Sequence, residues 1–262
     1  MPDWLTSILL GIIEGITEFL PISSTGHLLL TQQLGWLKPQ SDTFIIAIQS
    51  GAVLAVLFNF TDRVKQLTLR WREPAARDYL AKLLVAFAIT GAGGLAIDAL
   101  GFELPKEVLP VAVALLAGGV LFVVVEKKIG DRARLEEVTW AIAIAIGFGQ
   151  LLAAVFPGAS RSGATILIAL LMGLRRVPAI EFTFLLGVPT LLAAGAYKVL
   201  KAVRAGSVTE EWGQLALATG VSAVTAFVSV RWLLRYIETH TFVIFGWYRI
   251  ALGLALLAMV AW

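Results

Sequence analysis

The stretch Glu14-Gly15-Ile16-Thr17-Glu18-Phe19-Leu20-Pro21-Ile22-Ser23-Ser24-Thr25-Gly26-His27 interrupts an otherwise apolar segment with two acids, a proline and a run of small polar residues. Proline and glycine end the helix before them, and a serine or threonine can cap the helix that follows. The same punctuation returns in Pro157-Gly158-Ala159-Ser160-Arg161-Ser162-Gly163-Ala164-Thr165. A helix needs about 20 apolar residues to cross a hydrocarbon core of about 30 Å. The halves on either side of each break fall short of that. Residues 4–34 and 139–174 therefore read as two re-entrant helix–loop–helix hairpins.

Outward from these breaks, six apolar stretches read as full crossings: 43–60, 80–99, 108–126, 181–200, 213–234 and 243–262. Of the 262 residues, 58% are hydrophobic and only 15% charged, against about a quarter charged in soluble domains. A soluble core would require several helices that are apolar all round. The expected fold is thus an all-α polytopic membrane protein, a single domain over 1–262. The absence of cysteine excludes disulfides, thiolate metal sites and thiol nucleophiles. The net charge of +3 sits in short connections, which reflects membrane orientation and argues against nucleic acid as a partner. The first apolar stretch carries acids and has no basic lead-in or small-residue cleavage site, so no cleavable signal is expected.

The two hairpins also resemble each other. At an offset of 136, Gly11 falls on Gly147, Glu14 on Gln150, Pro21 on Pro157 and Ser24 on Ser160. Each hairpin precedes three crossings, and an odd number inverts the second copy relative to the first. The expected units are repeat 1 over about 1–126, a cytoplasmic connection over about 127–138, and repeat 2 over about 139–262. With this threading, fourteen Lys and Arg (Arg63 to Arg77, Lys82, Lys127 to Arg134, Arg175, Arg176, Arg231 and Arg235) share one side, against five opposite: Lys38, Lys106, Lys198, Lys201 and Arg204. That bias puts the first set in the cytoplasm, and both termini and the mouth of the first hairpin outside.

Glu14 and Glu18 lie four apart, on one face of a helix. An ionised carboxylate at bilayer depth costs about 2.5–3.5 kcal/mol even on the insertion scale. Two on one face repel unless a cation, a proton or an arginine lies between them. The alternative is an interfacial helix with both acids in water. Taking Ser24 as the cap of the second half-helix puts His27 one turn above it, able to reach its hydroxyl. Simple capping is the alternative there. The free N–H groups at such a helix start form an anion site. Arg161, between Ser160 and Ser162, supplies a planar guanidinium suited to a phosphoryl group; the structural alternative pairs it with Glu14 or Glu18. Gln49, Gln150 and Glu181 could line the same cavity. Arg249 inside the last span must pair or snorkel, and His240 is read as solvated.

The two quoted motifs, in this order and separation, closely resemble the signatures of the bacterial undecaprenyl-diphosphate phosphatase family, also called the bacitracin-resistance (BacA/UppP) family. The resemblance extends over essentially the whole chain. It implies hydrolysis of undecaprenyl diphosphate to undecaprenyl phosphate in the bacterial inner membrane, replenishing the carrier for peptidoglycan precursors. It implies a periplasm-facing site and a divalent cation, Mg²⁺ or Ca²⁺, with Glu14 and Glu18 as metal residues. Carried onto this chain, the catalytic set is Ser24, His27, Glu18, Glu14 and Arg161. The substrate-binding set is Ser23, Thr25, Gly26, Ser160, Ser162, Gly163 and Thr165. The expected partners are the polyprenyl diphosphate and membrane lipids, and the reading allows a homodimer.

In the expected mechanism Ser24 attacks phosphorus with His27 as base or proton carrier, Arg161 stabilises the transferring group, and the acids hold the cation or orient His27. Giving His27 the nucleophilic role is the alternative. The type-2 phosphatidic acid phosphatases share a loose Ser-Gly-His echo, but their second histidine has no counterpart between Arg161 and His240. A transporter or lipid flippase, using the same anion site without a nucleophile, is the reading from another class.

Overall fold

The computed structural model describes residues 2–37, 40–101, 107–129, 135–204 and 211–260. Of the basic residues used for orientation, Lys38, Lys106, Arg132 and Arg134 lie outside these, as do residues 261–262 of the last apolar stretch. Among the described residues there are eleven helices and no named strand; one isolated bridge joins Leu135 to Leu174.

Both proline breaks interrupt helices where the sequence places them. Helix α1 (Asp3–Thr17) and α2 (Ser24–Gln33) flank the first; α7 (Trp140–Val155) and α8 (Arg161–Leu171) flank the second. At 1.5 Å per residue α1 is only about 22 Å long, short of the hydrocarbon thickness. Four of the expected crossings lie in helices long and apolar enough to span: α5 (Pro74–Ala99), α6 (Val108–Ile129), α9 (Arg176–Arg204) and α10 (Trp212–Thr239). The stretch 43–60 is helix α3 (Asp42–Asn59), which bends by 82° into α4 (Thr61–Leu69), so the pair counts as a fifth candidate span. Helix α4 corrects the reading of this segment as a plain basic connection. Its charges hid a short amphipathic helix whose Leu67 is buried. The last stretch is α11 (Val243–Val260), apolar but among the shorter helices.

Packing crosses between the two halves of the chain. Helix α1 lies along α10, α7 along α5, α6 along α11, and α3 against both α9 and α10. Close approach is bought by glycine: a Cβ on Gly11 would stand 2.5 Å from the Ala218 carbonyl oxygen, and one on Gly147 would stand 3.0 Å from that of Ala86. A large apolar cluster, with Phe19, Phe122, Ile166, Phe184, Val230 and Phe242 fully buried, fills the space beneath the two breaks.

Polar staples fix the ends. The buried Glu126 carboxylate accepts from Arg176 Nε (3.1 Å) and Nη2 (2.7 Å) and from the Phe242 backbone N–H (2.9 Å), tying α6, α9 and the α10–α11 turn. Arg63 Nε and Tyr79 Oη donate to Glu181 Oε1 at 2.8 and 3.3 Å. At the other end of α5 and α9, Tyr197 and Lys201 donate to Asp98. Two such ties, one near each end, hold α5 and α9 parallel.

Candidate active site

Each break enters its second helix through a serine with left-handed backbone: Ser23 at φ 72° and Ser160 at φ 66°, the two non-glycine residues with positive φ among those described. This conformation costs a non-glycine residue about 1–3 kcal/mol and survives only where its surroundings impose it. Capping supplies part of that constraint. Ser23 Oγ accepts from Gly26 N–H at 3.3 Å, and Ser160 Oγ from Gly163 N–H at 3.2 Å.

The sequence alignment at offset 136 pairs Ser24 with Ser160, but the structural equivalents are Ser23 and Ser160. The second break holds one more residue between its proline and its cap. Ser23, not Ser24, is the cap of α2. That correction frees the Ser24 hydroxyl, at the first position of the helix, to point elsewhere.

It points at Glu18. Ser24 Oγ donates to Glu18 Oε2 at 3.1 Å, while Arg161 Nη2 donates to the other oxygen, Oε1, at 3.0 Å. One carboxylate therefore joins a serine of the first break to the arginine of the second. The Arg161 guanidinium packs over the Phe19 ring at 5.4 Å. Its Nε and Nη1 are buried without a hydrogen-bond partner, leaving donors for a further acceptor. Room for it comes from α9, where a Cβ on Gly187 would run into Nη1. In the Gly187→Ala variant the guanidinium must shift while the helix gains propensity. Expected is a rise of about tenfold in the Kd for an oxyanion such as orthovanadate, equivalent to about 1.4 kcal/mol, with an unchanged thermal melt. Direct titration of the purified protein checks it.

A cavity of about 170 Å³ lies where the breaks meet. Glu18, Ser23, Ser24, Thr25 and Gln49 line it from the first half of the chain, and Pro157, Gly158, Ser160 and Arg161 from the second. Ala153 and Leu191 make its apolar wall. Glu14 lies behind this lining, fully buried, its carboxyl interacting with Glu18 and Gln49 but in good hydrogen-bonding geometry with neither.

The remaining candidates sit around the cavity without lining it. Ser162 Oγ donates to the Leu20 carbonyl (3.2 Å) and so ties the two breaks together; Thr165 Oγ1 donates to the Arg161 carbonyl at 2.8 Å. Gly26 and Gly163 give their N–H groups to the caps. His27 does not approach Ser24. Its Nδ1 lies 2.7 Å from the Ser23 carbonyl oxygen, and its Nε2 lies 2.7 Å from Tyr248 Oη, with the two rings stacked 11° from parallel. A carbonyl only accepts, so Nδ1 carries the proton. In the neutral ring Nε2 then accepts from Tyr248. Both nitrogens are engaged, which corrects the expectation that this imidazole reaches the serine hydroxyl.

Of the other polar candidates, only Gln49 reaches the cavity. Gln150 donates to Thr90 at 3.0 Å and Glu181 belongs to the Arg63–Tyr79 staple. His240 stacks on Tyr236. Tyr248 was not foreseen; no spacing rule links it to a histidine 221 positions away.

The donor set around Glu14 fits a hard divalent cation. Arg161 pairs with Glu18, while the buried Glu14 carboxyl has the Glu18 carboxyl and the Gln49 amide as neighbours and no cationic side chain beside it among the described residues. Among the described residues no group of three or more acids and histidines forms a full protein cage. Two carboxylates completed by substrate phosphate and water is the usual manner of holding Mg²⁺.

The model of the family described as "Bacitracin resistance protein BacA" matches residues 7–255. Among known proteins, the chain is 50% identical over 261 residues to the "Undecaprenyl-diphosphatase" of Rhizobium johnstonii, covering 99% of this chain and 98% of that protein. It is 48% identical over 259 residues to the protein of the same name from Xanthomonas oryzae pv. oryzae, covering 98% and 97%. With both motifs converging on one cavity and similarity running through nearly the entire length, the chain belongs to the bacitracin-resistance protein BacA family.

Proposed function

We propose that this chain is an undecaprenyl-diphosphatase, hydrolysing undecaprenyl diphosphate to undecaprenyl phosphate and inorganic phosphate and returning the carrier lipid to peptidoglycan synthesis. The names of its relatives give the substrate. The observation that carries the chemistry is the Glu18 carboxylate held between the Ser24 hydroxyl and the Arg161 guanidinium.

In this reading the diphosphate occupies the cavity between the breaks. Arg161, through its free Nε and Nη1, and the N–H groups at the start of α2 and α8 bind the terminal phosphoryl oxygens. Ser24 Oγ attacks the terminal phosphorus as Glu18 removes its proton. The bond from that phosphorus to the bridging oxygen breaks, and undecaprenyl phosphate leaves. Glu18 passes the Ser24 proton to the departing lipid phosphate and is a carboxylate again. It then takes a proton from water as the water oxygen attacks phosphorus, and returns it to Ser24 Oγ as the phosphorus–Oγ bond breaks and inorganic phosphate leaves. His27, held by Tyr248, fixes the Ser23 carbonyl and thereby the break. Mg²⁺ or Ca²⁺, held by Glu14 and Glu18 with Gln49 adjacent, would offset the negative charge of the acids and the diphosphate.

The membrane arrangement belongs to the same proposal. Helices α3, α5, α6, α9, α10 and α11 cross, and the α1–α2 and α7–α8 hairpins are re-entrant. The reciprocal packing of α1 on α10 and α7 on α5 supports an inverted repeat. The excess of Lys and Arg at one end supports an inner-membrane orientation with termini and cavity toward the periplasm. The apolar wall at Ala153 and Leu191 is the side from which the polyprenyl tail passes into lipid.

Purified protein in detergent, given a short-chain polyprenyl diphosphate and Mg²⁺, should release inorganic phosphate. No release across pH and cations would favour the flippase reading instead. A flippase needs an anion site but no acid facing a serine, and that contact favours hydrolysis.

A further inference from the structure

Helix α11 carries a fully buried arginine that the chemistry above does not use. Arg249 has no exposed surface, and its hydrogen bonds all go to main-chain carbonyls. Nη1 donates to Pro21 O at 3.3 Å; Nη2 donates to Ala159 O at 2.9 Å, to Gly158 O at 3.1 Å and to Ala114 O at 3.4 Å. One guanidinium thus holds the first break through Pro21 and the second through Gly158 and Ala159. Gly158 is itself part of the cavity wall.

The surroundings are shaped to admit this side chain. A Cβ on Gly118 of α6 would collide with Nη2, and one on Gly163 of α8 would stand 2.8 Å from Nη1. The Phe122 ring lies under the guanidinium at 5.9 Å. A buried cation held only by carbonyl dipoles is expensive compared with an apolar side chain of the same volume. A helix-packing role alone would not require the charge. What the arginine offers is a rigid fork of donors reaching two loops from different halves of the chain. Main-chain carbonyls at a helix break have no regular helical partner, and Arg249 supplies one to each break, in addition to the direct Ser162–Leu20 and Arg161–Glu18 bonds.

We propose that Arg249 is a positioning residue. It locks the two breaks at the separation at which Ser24 and Arg161 address one phosphoryl group. This rests on the proposal that both breaks bind the same anion, and it assigns to the last helix the task of fixing the site's dimensions.

The test measures direct binding of orthovanadate to the purified full chain, together with KM for the polyprenyl diphosphate. Neither quantity depends on the fraction of molecules that is active. Arg249→Lys keeps the charge but loses the fork. Gly118→Ala leaves Arg249 intact and displaces its guanidinium. Gly253→Ala is the control: it loads the same α6–α11 interface one turn further along, where a Cβ would stand 2.8 Å from Leu116 Cγ and 2.9 Å from the Ala112 carbonyl oxygen, away from the Arg249 guanidinium. Expected is a rise of at least tenfold in the orthovanadate Kd and in KM for the first two variants, and values within twofold of the parent for the third. Wild-type Kd and KM with only a lowered melting temperature in Arg249→Lys or Gly118→Ala would reduce Arg249 to a structural staple and overturn the inference. An equal rise in Gly253→Ala would do the same. A parent protein that binds orthovanadate but releases no phosphate would sink the hydrolase reading and leave this test intact.

Discussion

Glu18→Gln is expected to lower kcat by about a thousandfold, the middle of the range for a group that moves a proton in the transition state. Gln keeps the size of Glu and can still accept from Arg161 or Ser24 through its amide oxygen, so the packing beneath the breaks is preserved. What it loses is the capacity to take the Ser24 proton and the charge that balances Arg161. KM should change far less than kcat, because Arg161 and the backbone donors that bind phosphate remain. Phosphate release against substrate concentration separates the two constants. A kcat within tenfold of the parent would mean that the carboxylate is only an anchor for Arg161.

Ser24→Ala should be more severe still, with a loss of about ten-thousandfold or more, since removing a nucleophile leaves only binding and electrostatic stabilisation behind. The half-buried hydroxyl caps no helix; Ser23 does that. The fold should therefore tolerate alanine, and the melting temperature should stay near that of the parent. The two effects should not add. Groups that act as one unit lose their function together, so Glu18→Gln combined with Ser24→Ala should be no slower than Ser24→Ala alone. A double variant slower by the product of the two factors would mean independent roles and would break the proposed pairing.

The large features of this architecture were legible because they depend on local chemistry. Pro21 and Pro157 each open a run of small and polar residues and that combination ends a helix, whereas Pro189, outside any such run, is carried within α9. Long apolar runs such as 108–126 and 213–234 have few other places to go. The two acids on one face of α1 were conspicuous because of what burying them costs. Less legible was anything set by a single residue of register. In the first break the cap falls on Ser23, one residue before the position read from the sequence, and the partner of the Ser24 hydroxyl is then Glu18 and not His27. The extra residue in the second break hides the Ser23–Ser160 equivalence at a fixed offset. Contacts between distant segments were less accessible: Gln49 was named for the cavity together with Gln150 and Glu181, which do not reach it, and Tyr248 on His27 and Arg249 across both breaks depend on how helices pack. Helix α4 was missed because its nine residues include three charges, and a polar run between two crossings reads as loop.

The central claim is that Ser24 attacks phosphorus with Glu18 as its base. Rapid acid or base quenching of the protein with terminally labelled polyprenyl diphosphate, followed by peptide mapping, examines it directly. Label should appear on Ser24 as an acid-stable, base-labile phosphoester, and should be absent from the Glu18→Gln protein under the same quench. Label on His27, acid-labile and base-stable, would contradict the account and transfer the nucleophilic role to the imidazole.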